Sequence, residues 1–213
     1  MKSNEELVRY LIDFGFLKSG RVISAFRKVD RADFVLASQR ASAYADYPLP
    51  LFKLQTVSAP SVVAIMTEAL ALEGGESVLE VGTGSGYQAC ILAEVVGERG
   101  LVVSVERVPE LFDYARQKIS AHGAENVELV CGDGSQGHAA RAPYDGIIAT
   151  CGAPSVPEPL FKQLKEGGRM VIPVGGTHFQ DLLLVEKIRG KQVTRNLLPV
   201  MFVPMHGKHG FRE

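Results

Sequence analysis

The chain has 213 residues, of which 46% are hydrophobic and 22% charged; 23 Lys and Arg stand against 24 Asp and Glu, a formal net charge of −1. A chain of this length buries roughly 70% of the surface its unfolded form exposes and needs neither disulfide nor metal to fold. These values exclude a disordered chain, a collagen and a coiled coil, and they lack the basic excess of proteins that grip a nucleic-acid backbone.

No apolar run approaches the ~20 residues that span a bilayer, and the polar, acidic start MKSNEELVRY is not a secretory signal. Cys90, Cys131 and Cys151 are odd in number and widely spaced, neither a disulfide framework nor a zinc site. No metal is expected, and a reduced, cytoplasmic protein is the simplest reading. With no repeat, charge run or linker, residues 1–213 are expected to form one domain: a helical extension and loop over 1–60, and a core over 61–213.

Ser3 or Asn4 caps a first helix, with Glu5 and Glu6 in its first turn and Leu7, Leu11 and Phe14 along one stripe. Ser19-Gly20 breaks it, and a short second helix runs from Val22 to Val29. Residues 41–60 read as a loop holding Tyr44, Tyr47, Pro48, Pro50 and Pro60. Loops that long in a compact domain tend to be functional. Val62, Ile65, Met66, Ala69 and Leu70 mark a helix from Ser61.

Ser77 to Val81 is a strand that runs into Gly82-Thr83-Gly84-Ser85-Gly86, and a helix follows from Tyr87 to Val96. Leu101 to Val105 is the second strand, and Pro109 opens a helix to His122. Val127 to Cys131 and Asp145 to Thr150 are the third and fourth strands. A short helix spans Pro157 to Leu164, with Gly167-Gly168 read as its stop, before a fifth strand from Arg169 to Val174. Two β segments close the chain over 180–203, around Arg189-Gly190-Lys191.

Alternating strands and helices predict an α/β fold with a doubly wound, mostly parallel sheet. The closing pair adds an antiparallel C-terminal edge. Ligands bind such sheets at the carboxyl ends of the strands, which gathers the loops at 82–86, 106–108, 132–136 and 150–154 around one crevice. The first loop, from Glu80 through Gly82, Thr83, Gly84, Ser85 and Gly86, has G-x-G-x-G spacing, one residue shorter than the dinucleotide fingerprint. That form suits S-adenosylmethionine, which has no pyrophosphate to cradle. Glu106, with Arg107 beside it, ends the second strand about twenty places on, where an acidic side chain binds ribose hydroxyls. The third loop is Gly132-Asp133-Gly134, whose carboxylate can accept a hydrogen bond from an adenine amino group.

Taken together these motifs resemble the protein-L-isoaspartate O-methyltransferase family. The likeness runs from Val29-Asp30-Arg31-Ala32-Asp33-Phe34-Val35 to Phe202-Val203-Pro204. Its most specific pieces are Tyr47-Pro48-Leu49-Pro50, Gln55-Thr56-Val57-Ser58-Ala59-Pro60 and Met66-Thr67-Glu68. The resemblance implies a Rossmann-like methyltransferase that uses S-adenosylmethionine. Its substrate would be the free α-carboxylate of L-isoaspartyl residues, in peptides and proteins damaged by deamidation or isomerisation. The methyl ester then collapses to a succinimide, and hydrolysis returns some normal aspartate.

The resemblance assigns the active-site role to Ser58, with Thr56 beside it. It places the substrate peptide along Gln55, Val57 and the C-terminal stretch at Val203, with His206 in a loop able to reach the crevice. Two departures stand out. Leu51-Phe52-Lys53-Leu54 replaces a glycine-rich stretch, and Ser135 and His138 stand where many members carry tryptophan.

A carboxylate with a pKa of about 4 is ionised at neutral pH, so the chemistry needs no general base, and the five histidines offer no obvious one. Ser58 has a competing reading as the N-cap of the helix near Ser61. Other readings are a carboxyl methyltransferase for another peptide or small acid, a nucleic-acid methyltransferase, and a cofactor-binding module without turnover. The place after the fourth strand reads Thr150-Cys151-Gly152-Ala153-Pro154, not the Asn/Asp-Pro-Pro-Tyr of nucleic-acid enzymes. A monomer is expected.

Overall fold

The computed structural model describes residues 1–212. Its centre is a seven-stranded sheet: β3 (Ser77–Val81), β4 (Leu101–Glu106), β5 (Val127–Cys131), β6 (Tyr144–Ala149), β7 (Leu164–Gly175), β8 (Gln180–Ile188) and β9 (Lys191–Val200), in the order β5-β4-β3-β6-β7-β8-β9. The pairs from β5 to β7 are parallel, while β7–β8 and β8–β9 are antiparallel. The mostly parallel sheet with its antiparallel edge is therefore as expected. The chain leaves β3 in one direction to β4 and β5, then returns to β6 on the other side, which makes the switch point where ligands bind.

Side-chain alternation explains why both faces are covered. Leu79, Val81, Val103, Val105, Ile147, Met170 and Ile172 enter one cluster with Leu160 and Met205. Their neighbours Val78, Val102, Ile148 and Val171 enter the opposite cluster with Met66, Leu70, Leu92 and Val96. A strand buried on both sides loses the polar alternation of an exposed one. The apolar side chains of α3 (Pro60–Leu70) and α4 (Tyr87–Val96) supply the second layer. In α4 every residue but Glu94 is buried. A helix apolar all round must be covered all round, and the N-terminal helices α1 (Asn4–Asp13) and α2 (Gly20–Lys28) provide that outer cover through Leu7, Leu11 and Phe26.

Ser3 caps α1 through its hydroxyl and the Glu6 amide at 3.2 Å. Ser19-Gly20, read as a break, instead opens α2, where the Ser19 hydroxyl accepts from the Val22 amide. The loop of 41–60 is not unbroken: it holds a miniature antiparallel pair, β1 (Leu49–Pro50) with β2 (Thr56–Val57). Two residues per strand is too short for a period-two signal. The Gly167-Gly168 reading also changes. After α5 (Pro109–His122) and β6, the short helix α6 (Glu158–Gln163) passes directly into β7. The two glycines lie inside β7, at the register shift between Tyr144 and Gly146 of β6. There a Cβ on Gly168 would stand 2.9 Å from the Asp145 carbonyl oxygen, so these glycines serve a bulge and not a helix stop.

The 43–58 segment is held by one side chain. Arg31 is fully buried. Its Nη1 donates to the carbonyls of Ala43 and Ala45 at 2.8 and 3.1 Å, and its Nη2 to those of Tyr47, Val57 and Ser58 at 3.1, 3.2 and 2.9 Å. The planar guanidinium fork matches such a ring of acceptors as no other side chain can.

Gly86 makes the turn from the glycine loop into α4 at φ +87°, and a Cβ there would stand 3.1 Å from Ile119 Cγ1. Replacing it with alanine adds a left-handed penalty of about 1–2 kcal/mol to that close contact. Urea unfolding of Gly86→Ala is expected to show a loss of at least that size; wild-type stability would contradict this account of the turn.

Candidate active site

A cavity of about 650 Å³ opens at the carboxyl ends of β3, β4 and β6. One wall is the glycine loop, with Glu80, Gly82, Thr83, Gly84 and Ser85; another is Glu106 and Arg107; a third is Gly134 and Ser135. Thr150 and Cys151 close the floor, Gln55 to Ser58 form one side of the mouth, and Val203 to His206 the other. Six separate parts of the sequence thus meet here. Gly86, Gly132 and Asp133 do not line the cavity.

Glu106 is placed by two backbone amides: Gly84 donates to Oε2 and Val108 to Oε1, each at 2.9 Å. A carboxylate has about four acceptor positions, so two remain for a ligand's hydroxyls. Glu80 is buried completely, and its Oε2 accepts from Ser104 Oγ at 2.5 Å, with Ser104 in turn 2.6 Å from Thr83 Oγ1. Burial raises its pKa to about 8, with the Ser104 bond pulling it back and the charge of Glu106 pushing further up. At neutral pH its carboxyl is therefore largely protonated, ready to ionise when a cation arrives.

Asp133 sits in the expected loop but does not line the cavity. Its Oδ1 accepts from the Ser135 amide and hydroxyl, and its Oδ2 from the Gln136 side chain and the Lys208 amide at 2.9 Å. Burial works to raise this carboxyl, but those donors together hold it below the usual carboxylate range. Its acceptor positions are filled, so it fastens the C-terminal segment across the third loop. Ser135, standing where many relatives have tryptophan, is fully buried and accepts from the His209 amide at 3.0 Å. His138 does not reach the crevice: its carbonyl accepts from the Tyr144 hydroxyl and its Nε2 stands 3.8 Å from Glu128. His206 does line the cavity.

Ser58 is not a helix cap. Ala59 occupies the N-cap of α3 without a side-chain bond, and Asp46 accepts from the Ser61 amide at 2.9 Å. Among the described residues the Ser58 hydroxyl has no hydrogen-bond partner, and it faces the same cavity as Thr56. The tip between β1 and β2 keeps a glycine-like backbone without glycine: Lys53 and Leu54 both take positive φ, 57° and 58°. Phe52 packs edge-on against Tyr114 and Lys53 pairs with Glu110 at 2.8 Å, which anchors the tip to α5. Cys151 is not a nucleophile, because burial pushes its thiol far up.

Four residues that line the cavity each carry a buried polar atom without a hydrogen-bond partner among the described residues: Glu80 Oε1, Tyr87 Oη, Gln88 Oε1 and His206 Nδ1. Buried polar groups are nearly always paired, so this concentration marks a site shaped for a polar ligand. The Gln88 oxygen accepts only, and the Glu80 carboxyl becomes acceptor-only once it gives up its proton, so the pair suits a ligand bearing an ammonium group. Together with the Glu106 carboxylate they fit a nucleoside joined to an amino acid, which is the make-up of S-adenosylmethionine.

Fold and site together define a Rossmann-like, S-adenosylmethionine-dependent methyltransferase. The comparisons with known proteins narrow the class. Residues 2–210 match the family described as protein-L-isoaspartate(D-aspartate) O-methyltransferase, and the chain belongs to that family. A protein-L-isoaspartate O-methyltransferase of Methanopyrus kandleri is 48% identical over 100% of this chain and 95% of its own. One from Archaeoglobus fulgidus is 53% identical over 91% of this chain and 89% of its own. A solved protein-L-isoaspartate O-methyltransferase superposes with a TM-score of 0.89 at 36% identity, covering 97% of this chain and 67% of that one. A Plasmodium falciparum structure in complex with S-adenosyl-L-homocysteine shares the fold, with a TM-score of 0.87 at 24% identity over 97% and 99% of the two chains.

Sequence reading missed Arg31, Tyr87 and Gln88. Arg31 stands beside Asp30 and near Asp33, so locally it reads as one member of a charged surface turn and carries no signal of burial. The raised Glu80 carboxyl has a consequence for stability. Between its unfolded value of 4.5 and its folded value of about 8, the native state keeps a proton the unfolded chain has lost. Stability of the ligand-free protein therefore falls as pH rises through that window and levels off above it. Glu80→Gln is expected to remove that fall, read by urea unfolding at pH 5, 7 and 9; equal slopes in both proteins would contradict the buried acid.

Proposed function

We propose that this protein transfers the methyl group of S-adenosylmethionine to the free α-carboxylate of L-isoaspartyl residues in damaged peptides and proteins, initiating repair through a succinimide. The observation that carries the reading is the meeting of the Thr56–Ser58 segment with the Glu80, Glu106 and Gly134 walls on one cavity. It is supported by family membership over nearly the whole chain.

When bound, S-adenosylmethionine supplies an electrophilic methyl group on a positively charged sulfur. Glu106 holds its ribose, with Arg107 beside it. Glu80 and the amides of Thr83 and Ser85 hold its amino-acid end, while Gly82, Gly84 and Gly86, whose own amides are engaged by Val105, Glu106 and Thr83, shape the loop. Gly134 and Ser135 enclose its base, with Gly132 and Asp133 preceding them in the same loop. Thr56 and Ser58 donate hydroxyl protons to the substrate carboxylate, orienting it without protonating it. Gln55, Val57, Val203 and His206 flank the peptide, whose backbone lies along the C-terminal stretch. Main-chain recognition of that kind tolerates many side chains, as a repair enzyme requires.

Substrate anion and cofactor cation neutralise each other during transfer, so little new charge has to be stabilised. What remains is alignment and exclusion of water; orientation is worth roughly 7–11 kcal/mol in such reactions. The cavity serves both ends, since apolar side chains such as Val63, Met66, Leu111 and Met205 line it beside the polar groups that take the two reactants. We further propose that the protein works as a monomer in the cytoplasm, because one chain supplies every wall of the cavity and all three cysteines are free thiols.

The test pairs an isoaspartyl peptide with its aspartyl twin and counts base-labile methyl ester formed from labelled cofactor. Transfer to the isoaspartyl peptide alone is expected; transfer to neither, with cofactor still bound, would move the reading to another carboxylate substrate or to a module without turnover. Ser58→Ala removes a hydrogen bond to a charged group, worth about 1.5–3 kcal/mol, so kcat/KM is expected to fall ~10–100-fold with cofactor affinity unchanged. Glu106→Ala is expected to raise the Kd of S-adenosylhomocysteine by a similar factor in calorimetry. Wild-type values in either variant would remove that residue from its role.

A further inference from the structure

We propose that Arg31 is a positioning residue for the substrate carboxylate, acting through the Val57 and Ser58 carbonyls to hold the Ser58 and Ala59 amides and to lend them positive character. The inference rests on the isoaspartyl reading of the cavity and adds a residue that touches neither substrate nor cofactor.

Burying a guanidinium is costly, and such a charge is ordinarily matched by a carboxylate. Arg31 is fully buried yet makes no ion pair among the described residues; its hydrogen bonds go to five backbone carbonyls, and its Nε has no partner. Asp46 is the carboxylate whose field it feels most, and both Asp46 oxygens are engaged by Tyr10 and Ser61. The charge is therefore solvated by peptide dipoles instead of being cancelled.

Two of those dipoles belong to the active-site segment. A trans peptide group points its C=O and N–H in opposite directions. With the Val57 and Ser58 carbonyls drawn onto Arg31 at 3.2 and 2.9 Å, the N–H groups of Ser58 and Ala59 point away from it. Among the described residues neither amide has a hydrogen-bond partner. A cation at the carbonyl end polarises the same peptide unit and makes its N–H a stronger donor. The field of the buried cation thus reaches the cavity from behind the Thr56–Ser58 wall, where a carboxylate would dock.

A residue with only a structural role would change stability and leave substrate discrimination alone. Two variants and one wild-type measurement separate the cases. Arg31→Lys keeps the charge but has three donors on one nitrogen, so it cannot span the five carbonyls. Arg31→Gln also removes the charge. Both are expected to bind S-adenosylhomocysteine within about threefold of wild type. Both are expected to lose kcat on an isoaspartyl peptide, and the KM for that peptide is expected to rise at least tenfold in Arg31→Gln alone.

The wild-type measurement avoids any folding defect. With S-adenosylhomocysteine bound, the cofactor sulfur is neutral, and an isoaspartyl peptide is compared with its α-carboxamide analogue by calorimetry. The carboxylate is expected to bind at least tenfold more tightly. Equal affinities there, or a wild-type KM in Arg31→Gln, would overturn the proposal. Methyl transfer by the wild-type protein to the isoaspartyl peptide is the control. Its absence would count against the proposed function, whereas its presence with equal affinities would count against Arg31 alone.

Discussion

A guanidinium with nowhere else to go organises this active site. Arg31 lies beneath the 43–58 segment with no solvent and no ion pair among the described residues, and it is satisfied only if five carbonyls of that segment converge on it. Leaving them unpaired would cost the full desolvation of each buried group, so the segment has one low-energy shape. That shape sets Thr56, Val57 and Ser58 along the cavity. The small β1–β2 pair and the anchoring of Phe52 and Lys53 on α5 hold the remainder. A loop of this length would otherwise be free to sample many conformations, and a reaction that depends on alignment would lose rate in proportion.

The electrostatics of the cavity fit the same requirement. In the proposed reaction, Glu80 and Glu106 face the cationic cofactor, while the buried Arg31 stands behind the Thr56–Ser58 segment that would meet the anionic substrate. Each reactant faces charge of the opposite sign, and the two neutralise one another as the methyl group moves. No side chain has to take up a proton. His206 borders the cavity, His138 is occupied elsewhere, and Cys151 is held protonated by burial. The site places ions and excludes water.

The mostly parallel sheet, its antiparallel edge and the loops around the crevice were legible because they rest on local, repeating signals: strand runs, helix periodicity and glycine spacing. Where the signal was ambiguous the reading slipped. Gly167-Gly168 has the chemistry of a helix stop, and only the pairing of β7 with β6 reveals a bulge. Ser19-Gly20 ends one helix or begins another with equal ease. Asp133 sits in the expected loop, but its carboxylate is claimed by the C-terminal segment some 75 residues away in sequence, a contact no local pattern encodes. Arg31 was hidden for the same reason. Its partners are backbone carbonyls, which carry no sequence signature, so a residue central to the site read as one letter in a family motif.

The central claim is that alignment of two existing ions, and not acid–base chemistry, drives transfer. It is tested most directly by the pH dependence of a single turnover, with cofactor and isoaspartyl peptide both saturating. The substrate carboxylate, with a pKa of about 4, is ionised across the neutral range. The account predicts a rate that stays level from about pH 6 to about pH 9, because no general base has to lose its proton first. A rate that climbs tenfold per pH unit up to about pH 7 would reveal such a base and contradict the account.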